Sequence, residues 1–305
     1  MGAGGFGTVV DGCRRAGAAR GGGARGAAGV LPVVAFSGGV DSSLALVAVR
    51  EAFGPARARA CLARSPSLAR SQRALAQLVA AHVGVELWEV ATREGARPGY
   101  VANAGEACLH CKTELYGRLQ AVAEEAQARA AGGAGGGGGV VLFNGTNADD
   151  LEDPTRLGLV AAETFGVFSP LAGLSKAEVR EMAREQGLPN WDAAASPCLR
   201  SRLQLGVPAT PARLAAVEAA EEVVRAGLAL GAHQSLRVRL LEGNEGVVEV
   251  EPALVEAAAA LLRRPDTAAA LRSAGFAPGL RARAFRSGSL SRGGDGDAPP
   301  PAAAR

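Results

Sequence analysis

Residues 33–43 read Val-Val-Ala-Phe-Ser-Gly-Gly-Val-Asp-Ser-Ser. An apolar strand runs into a Ser-Gly-Gly-x-Asp-Ser turn, and the turn opens a helix-like segment. Gly38 and Gly39 let the backbone bend sharply and approach a ligand closely. Free amides at the helix start, with the hydroxyls of Ser37, Ser42 and Ser43, offer a concave donor surface suited to phosphate. The Gly-Lys-Ser/Thr of a Walker A loop is missing. The plain alternative is an ordinary glycine turn with an N-capping Asp or Ser.

Two further groups could carry chemistry. Cys108-Leu109-His110-Cys111 is followed by Lys112, and Cys198 lies in Ser196-Pro197-Cys198-Leu199-Arg200-Ser201-Arg202. A C-x-x-C alone reads as a redox pair, half a zinc site, a pair of cluster ligands or two incidental thiols. There is no second C-x-x-C, which argues against a four-cysteine zinc ribbon. The stretch 97–107 before the motif reads as loop, where a thioredoxin-type pair should follow a strand and open a helix. Arg237 and Arg239 form an Arg-Val-Arg with both side chains on one face of a strand. Guanidinium pairs suit bidentate phosphate or carboxylate binding; a charged outer face is the alternative.

The elements that must position these groups follow from the hydrophobic pattern. Strands are expected at 58–62, 85–90 and 140–143, and helices at 67–83 and 113–130. The run 132–139 is nearly all glycine and reads as a flexible surface insert. After the strand at 140–143 comes Asn144-Gly145-Thr146-Asn147-Ala148-Asp149-Asp150. Alternating strands and helices predict a doubly wound parallel α/β sheet. In such sheets ligands sit outside the carboxyl ends of the strands, so the loops at 37–43 and 145–150 are expected to face one pocket. Ser175 and Glu178 form a capping box opening a helix at 175–186. Beyond about 195 a helix at 211–226 precedes a hairpin of strands at 235–241 and 246–251, and a helix at 252–263 follows. The expected division is a low-complexity leader at 1–30, an α/β domain at 31–195, a smaller α+β domain at 196–290 and a disordered tail at 291–305.

Composition bounds the reading. The chain has 305 residues, enough for one large domain or two modest ones. Its 33 basic and 30 acidic residues alternate, which gives no nucleic-acid footprint. No apolar run reaches the roughly 20 residues that span a bilayer. Five cysteines, an odd number, do not read as a secreted disulfide framework, so a reducing, cytoplasmic location is expected. The Gly-, Ala- and Arg-rich first 30 residues also resemble an organellar transit peptide, against which stands their near lack of hydroxylated residues. Cys13 and Cys61 match no motif, and His82 is expected to pack on its helix.

The Ser-Gly-Gly-x-Asp-Ser turn resembles the PP-loop of ATP pyrophosphatases, which cleave ATP between the α- and β-phosphates and adenylate a substrate. The order Ser-Gly-Gly-Val-Asp-Ser, Cys-x-x-Cys-Lys, Gly-Thr-Asn-x-Asp-Asp, Leu-Ser-Lys-x-Glu-Val-Arg and Pro-Cys-Leu-x-Ser-Arg resembles the LarE family. Arg286-Ser287-Gly288-Ser289 is similar to that family's end as well. The resemblance implies an N-terminal PP-loop domain and a C-terminal substrate-binding domain. It implies ATP-dependent sulfur transfer to pyridinium-3,5-biscarboxylic acid mononucleotide, toward the nickel-pincer cofactor of lactate racemase. The sulfur comes either from a sacrificed cysteine or from a [4Fe–4S] cluster held by three cysteines. Cys108, Cys111 and Cys198 match the three-cysteine type, and that version is taken forward.

The resemblance also implies residue roles. Ser37, Gly38, Gly39, Asp41, Ser42 and Ser43 would hold ATP's departing pyrophosphate, with Asp41 acting through Mg²⁺ or capping the helix. Thr146, Asn147 and Asp149 would place nucleotide or metal. Lys176 would contact phosphate, while Lys176 and Arg180 read equally as a solvated helix face. Arg237 and Arg239 correspond to substrate-phosphate ligands, Arg202 shapes the pocket around Cys198, and Glu221 resembles a glutamate near the active cysteine, with Glu218 and Glu222 competing for that assignment. A homo-oligomer is expected, with no membrane or nucleic-acid partner and a sulfur donor the sequence does not name. The rivals are a PP-loop tRNA thiolase, an amide-forming adenylator and a non-catalytic module with structural zinc.

Overall fold

The computed structural model describes residues 5–21, 29–130, 139–153, 156–231 and 233–285. The glycine run at 132–138, the Arg286–Ser289 motif and the tail from 291 lie outside the described residues.

The first helix, α1 (Phe6–Arg20), falls where a low-complexity leader is expected. It docks on the main core through Val9, Val10 and Cys13, all buried. Gly17 lets it close in, since a Cβ there would sit 2.6 Å from the Phe53 ring. The apolar positions recur at helical spacing, but Gly, Ala and Arg around them hide the stripe. Within the stretch expected as a low-complexity leader, these residues thus form a packed helix.

Four strands follow with their helices: β1 (Leu31–Ala35), α2 (Val40–Phe53), β2 (Arg59–Arg64), α3 (Arg70–Val83), β3 (Glu86–Ala91), α4 (Pro98–Ala102), α5 (Ala107–Ala130) and β4 (Val140–Phe143). The strands form one sheet in the order β3-β2-β1-β4, parallel throughout. Successive side chains point to opposite faces. Val34, Ala60, Leu62 and Phe143 enter a core with α1, α2 and α3, while Val33, Cys61 and Leu142 pack against α5. Helices thus cover both faces, as a parallel sheet requires. Short helices α6 (Ala148–Leu151) and α7 (Gly158–Thr164) lead to α8 (Lys176–Glu185). Ser175 caps α8 in a capping box with Glu178, as its sequence predicts.

The remaining elements are α9 (Pro211–Gly227), β5 (Leu236–Leu240), β6 (Gly246–Val250), α10 (Val255–Leu262), α11 (Pro265–Ser273) and β7 (Arg281–Ala284). β5 and β6 form the expected hairpin, whose turn places Gly243 at φ 68° and Asn244 at φ 60°. β7 adds in parallel beside β6. This sheet packs on α9, α10 and α11 in a second core that also takes in Tyr100, Ala107 and Leu199. No described helix is long and apolar enough to cross a membrane. His82 is exposed rather than packed, because α3 buries Ala76, Val79, Ala80 and Val83 on its other side.

Candidate functional site

The glycine loop leaves β1 and enters α2 at the carboxyl edge of the sheet. Gly38 adopts φ +75°, and a Cβ there would meet the Ala76 backbone at 2.7 Å, so glycine is required both for conformation and for space. The loop is braced by its own hydroxyls. Ser42 Oγ and Ser43 Oγ donate to Gly39 O at 3.0 and 2.9 Å, and Ser37 N donates to Ser42 Oγ at 3.2 Å. The hydroxyls expected to face phosphate are, at Ser42 and Ser43, buried and turned into the loop. The helix N-cap is Gly39, with no side-chain cap bond. Asp41 therefore does not cap α2.

Asp41 instead forms the centre of a cross-loop contact. Lys176, at the start of α8, forms an ion pair with it, and Asn147 Nδ2 donates to its other oxygen at 3.0 Å. Lys176 N donates to Asp149 Oδ1 at 3.2 Å. The loop at 144–150 lies directly on the glycine loop: a Cβ on Gly145 would meet Ser42 N at 2.5 Å. Asn144, buried, shapes this second loop by accepting from Thr146 N at 3.1 Å and from Ser169 Oγ at 2.7 Å. The two loops thus lie against each other at the carboxyl edge of the sheet, where their places after β1 and β4 put them. Arg180 turns away and donates to Trp191 O and Ala193 O, both at 2.8 Å.

Two residues of this region escape motif reading. Asn190 Nδ2 donates to Gly38 O at 2.8 Å and Ser43 Oγ at 3.0 Å, and Gln72 Nε2 donates to Ser37 O at 2.6 Å. Their only sequence signal is an amide side chain near an element boundary.

The cysteines form a second locale. Cys108 and Cys111 sit on the first turn of α5, so the pair opens a helix, with the short α4 before it; the expectation of loop through 97–107 is corrected there. Cys198 directly precedes a 3₁₀ turn (Leu199–Arg202), and Leu199 N donates to Ser67 O at 2.9 Å. That bond docks the segment at the carboxyl end of β2. Burial, followed by the nearby Cys198, pushes the Cys111 thiol up to about 12. Cys108 and Cys198 are exposed. Arg200 is drawn into the same locale, with one nitrogen on Cys108 Sγ at 2.6 Å. Cys13 and Cys61 are core thiols, each pushed up to about 12 by burial.

Beside the cysteines lie two buried side chains, Glu94 and Tyr100. Glu94 Oε2 and Tyr100 Oη make no hydrogen bond, although Ser67 Oγ donates to Glu94 Oε1 at 3.4 Å. Buried orphan polar atoms mark places where a bound group or water completes a network. Among the described residues no three His, Cys, Asp or Glu side chains could hold a single metal ion. A [4Fe–4S] group spreads its ligands over several irons, and three thiols in one locale fit that donor set. Asp41 and Asp149, read as Mg²⁺ ligands, are joined to Lys176, one by its ammonium and the other by its backbone amide.

The arginines form a third locale. Arg202, buried, donates Nε to Glu221 Oε1 at 2.9 Å, and the same oxygen accepts from Val238 N at 3.1 Å. Glu218 and Glu222 instead reach Arg70, which singles out Glu221 as the inward glutamate. Arg239 lies against Glu249 at 2.8 Å, where Glu249 is fully buried and also pairs with Arg283. Arg237 stacks on Phe285 with its guanidinium carbon 4.3 Å from the ring centre. Burial, reinforced by the like charges of Arg239 and Arg202, brings the Arg237 guanidinium down to about 10. A cation held down in this way favours a bound anion.

No model of a known protein family matches the chain. It is 38% identical over 226 residues to an uncharacterized protein of Synechocystis sp., covering 73% of this chain and 78% of that protein. It is 29% identical over 200 residues to a pyridinium-3,5-bisthiocarboxylic acid mononucleotide synthase of Lactiplantibacillus plantarum, covering 63% of this chain and 66% of that enzyme. The chain therefore belongs to the family of the Synechocystis protein, and it is similar to the L. plantarum synthase over part of its length.

Proposed function

We propose that the protein is an ATP-dependent sulfur transferase acting on pyridinium-3,5-biscarboxylic acid mononucleotide. The observation that carries this reading is the placement of the cysteine segment. Leu199 is bonded to Ser67 beyond β2, on the same edge of the sheet as the glycine loop beyond β1. The first turn of α3 spans the two, with Gln72 on Ser37 O and Arg70 on Glu218 and Glu222 of α9. The name and similarity of the L. plantarum synthase agree with this reading.

A substrate carboxylate oxygen attacks the α-phosphorus of ATP, the α–β bridging bond breaks, and pyrophosphate leaves. Attack of one anion on another needs positive charge and donors at the reacting phosphate. Lys176 and the amides of Gly38 and Gly39 supply these, and Mg²⁺ would neutralise pyrophosphate near Asp41 and Asp149. A sulfur nucleophile then displaces AMP from the acyl carbon, leaving a thiocarboxylate. Arg237, Arg239 and Arg202 offer cations for the substrate phosphate, with Glu221 fixing Arg202. Cys108, Cys111 and Cys198 would hold a [4Fe–4S] group, and such a group with three protein ligands keeps one iron free to carry sulfide.

The test is protein purified without oxygen, assayed for iron, acid-labile sulfide and ATP-dependent pyrophosphate release with the pyridinium substrate. About four irons per chain are expected, lost when any of the three cysteines is replaced. No iron, with Cys198 losing the mass of H₂S after turnover, would assign a sacrificial cysteine. Absence of pyrophosphate release would end the reading.

A further inference from the structure

Arg200 occupies the variable position of the Pro-Cys-Leu-x-Ser-Arg motif, so no motif explains it. It is half-buried, and its two terminal nitrogens have separate partners. Nη2 donates to Cys108 Sγ, while Nη1 donates to Asn103 Oδ1 at 3.2 Å. Asn103 is a rigid anchor. It is 1% exposed, takes the left-handed conformation at φ 51° and donates Nδ2 to Gln204 O and Val207 O at 2.9 and 3.1 Å. Its own carbonyl accepts from Gly206 N at 3.0 Å. Asparagine is among the few residues other than glycine that tolerate this backbone and can also use its amide in this way.

We infer that Arg200, aimed by Asn103 at Cys108, is a positioning residue that stabilises negative charge on the sulfur centre formed by Cys108, Cys111 and Cys198. The inference rests on the cluster reading of those cysteines. Three thiolates and the sulfides of a cluster would concentrate negative charge in a half-buried locale that already holds the buried acids Glu94 and Tyr100. Arg200 reaches the Cys108 sulfur itself, whereas Arg202 reaches the Pro197 and Cys198 carbonyls and is paired with Glu221. A fixed guanidinium both donates a hydrogen bond to sulfur and supplies a full charge. Either effect favours the more reduced, more negative state, so both raise the reduction potential. Lysine keeps the charge but loses the fork that reaches Asn103 and sulfur together.

The test compares wild-type, Arg200→Lys and Arg200→Gln proteins, reconstituted anaerobically, by iron per chain and by dithionite titration of the cluster potential. The expected result is unchanged iron, a more negative potential in Arg200→Gln and a smaller shift in Arg200→Lys. Asn103→Asp provides a second variant: it keeps the acceptor for Arg200 but loses both amide donors. Its potential should fall between wild-type and Arg200→Gln, as Arg200 loses its fixed aim. An Arg200→Gln potential equal to wild-type, at equal iron content, overturns the inference and leaves the sulfur-transfer reading intact. Wild-type protein that binds no iron overturns the cluster reading and this inference with it.

Discussion

The glycine loop and the cysteine locale lie at one sheet edge but are built in opposite ways. Around the glycine loop nearly every polar group already has a protein partner: Asp41 has Lys176 and Asn147, and Ser43 has Gly39 and Asn190. These bonds hold the loop backbone in a fixed conformation, and under the proposed function that fixed backbone would present its amides to a polyanion. Around the cysteines, two thiols are exposed and two buried side chains, Glu94 and Tyr100, retain an unpaired oxygen. Under the proposed function, these groups would line the place of a bound group. On the same reading, the glycine loop would bind and release nucleotide each cycle and the cysteine locale would carry a resident group.

The sharpest break comes at Cys198. Cys198→Ser should abolish thiocarboxylate while pyrophosphate release stays within about threefold of wild-type, separating the two half-reactions. Mass spectrometry of the product and a pyrophosphate assay read the two sides independently; loss of both together would mean the locales are not separable.

Next is the loop contact. Gly145→Ala forces a Cβ to within 2.5 Å of Ser42 N, with backbone on both sides and no flexible side chain to yield. Displacement by about 1 Å should cost pyrophosphate release roughly 100-fold, while iron content is unchanged. A wild-type rate would show that the two loops do not work as one pocket.

The cysteine locale can be sharpened in the metal-free protein by alkylation at pH 8. Cys111, pushed up to about 12 by burial and its neighbours, holds little thiolate at that pH. Peptide mapping should find Cys108 and Cys198 labelled at least about tenfold faster than Cys111, with Cys13 and Cys61 protected in the core. Equal labelling of Cys111 would mean the locale is open to water.

The smallest effect concerns the helix that carries the C-x-x-C. Arg97 beside Glu114, helped by the Arg93 amide, holds that carboxyl below the usual range. A depressed folded value adds stability above the unfolded carboxylate range and loses it as pH falls through the folded value. Glu114→Gln should therefore be less stable than wild-type at neutral pH by under ~1 kcal/mol, since Arg97 is partly exposed. The gap should close below about pH 4, where even unperturbed carboxyls protonate; denaturant titrations at both pH values measure it.

Local grammar made much of this legible. The apolar run before Ser-Gly-Gly marks β1, the capping box at Ser175 marks α8, and the turn at 242–245 marks the β5–β6 hairpin, because each depends on neighbours within a few residues. α1 was hidden, since its stripe of Val9, Val10 and Cys13 is interrupted by Gly7, Gly12 and Gly17, whose helix propensity is low. Arg239 reads as one of a pair on a strand face, yet its guanidinium is committed to Glu249 from the neighbouring strand. Resemblance points to Glu221 with Glu218 and Glu222 competing, and the facing of α9, with Glu221 on Arg202 and the other two on Arg70, separates them.

By itself the sequence determined the glycine loop between strand and helix, the alternation of strands and helices and the three cysteines worth watching, because motif spacing and hydrophobic period are properties of the chain. Only the tertiary structure decided that Lys176 meets Asp41 across 135 residues, that Asn190 braces the glycine loop and that Asn103 aims Arg200 at Cys108. Those contacts depend on which loops the parallel sheet gathers at its carboxyl edge, and no local pattern records a partner so far along the chain.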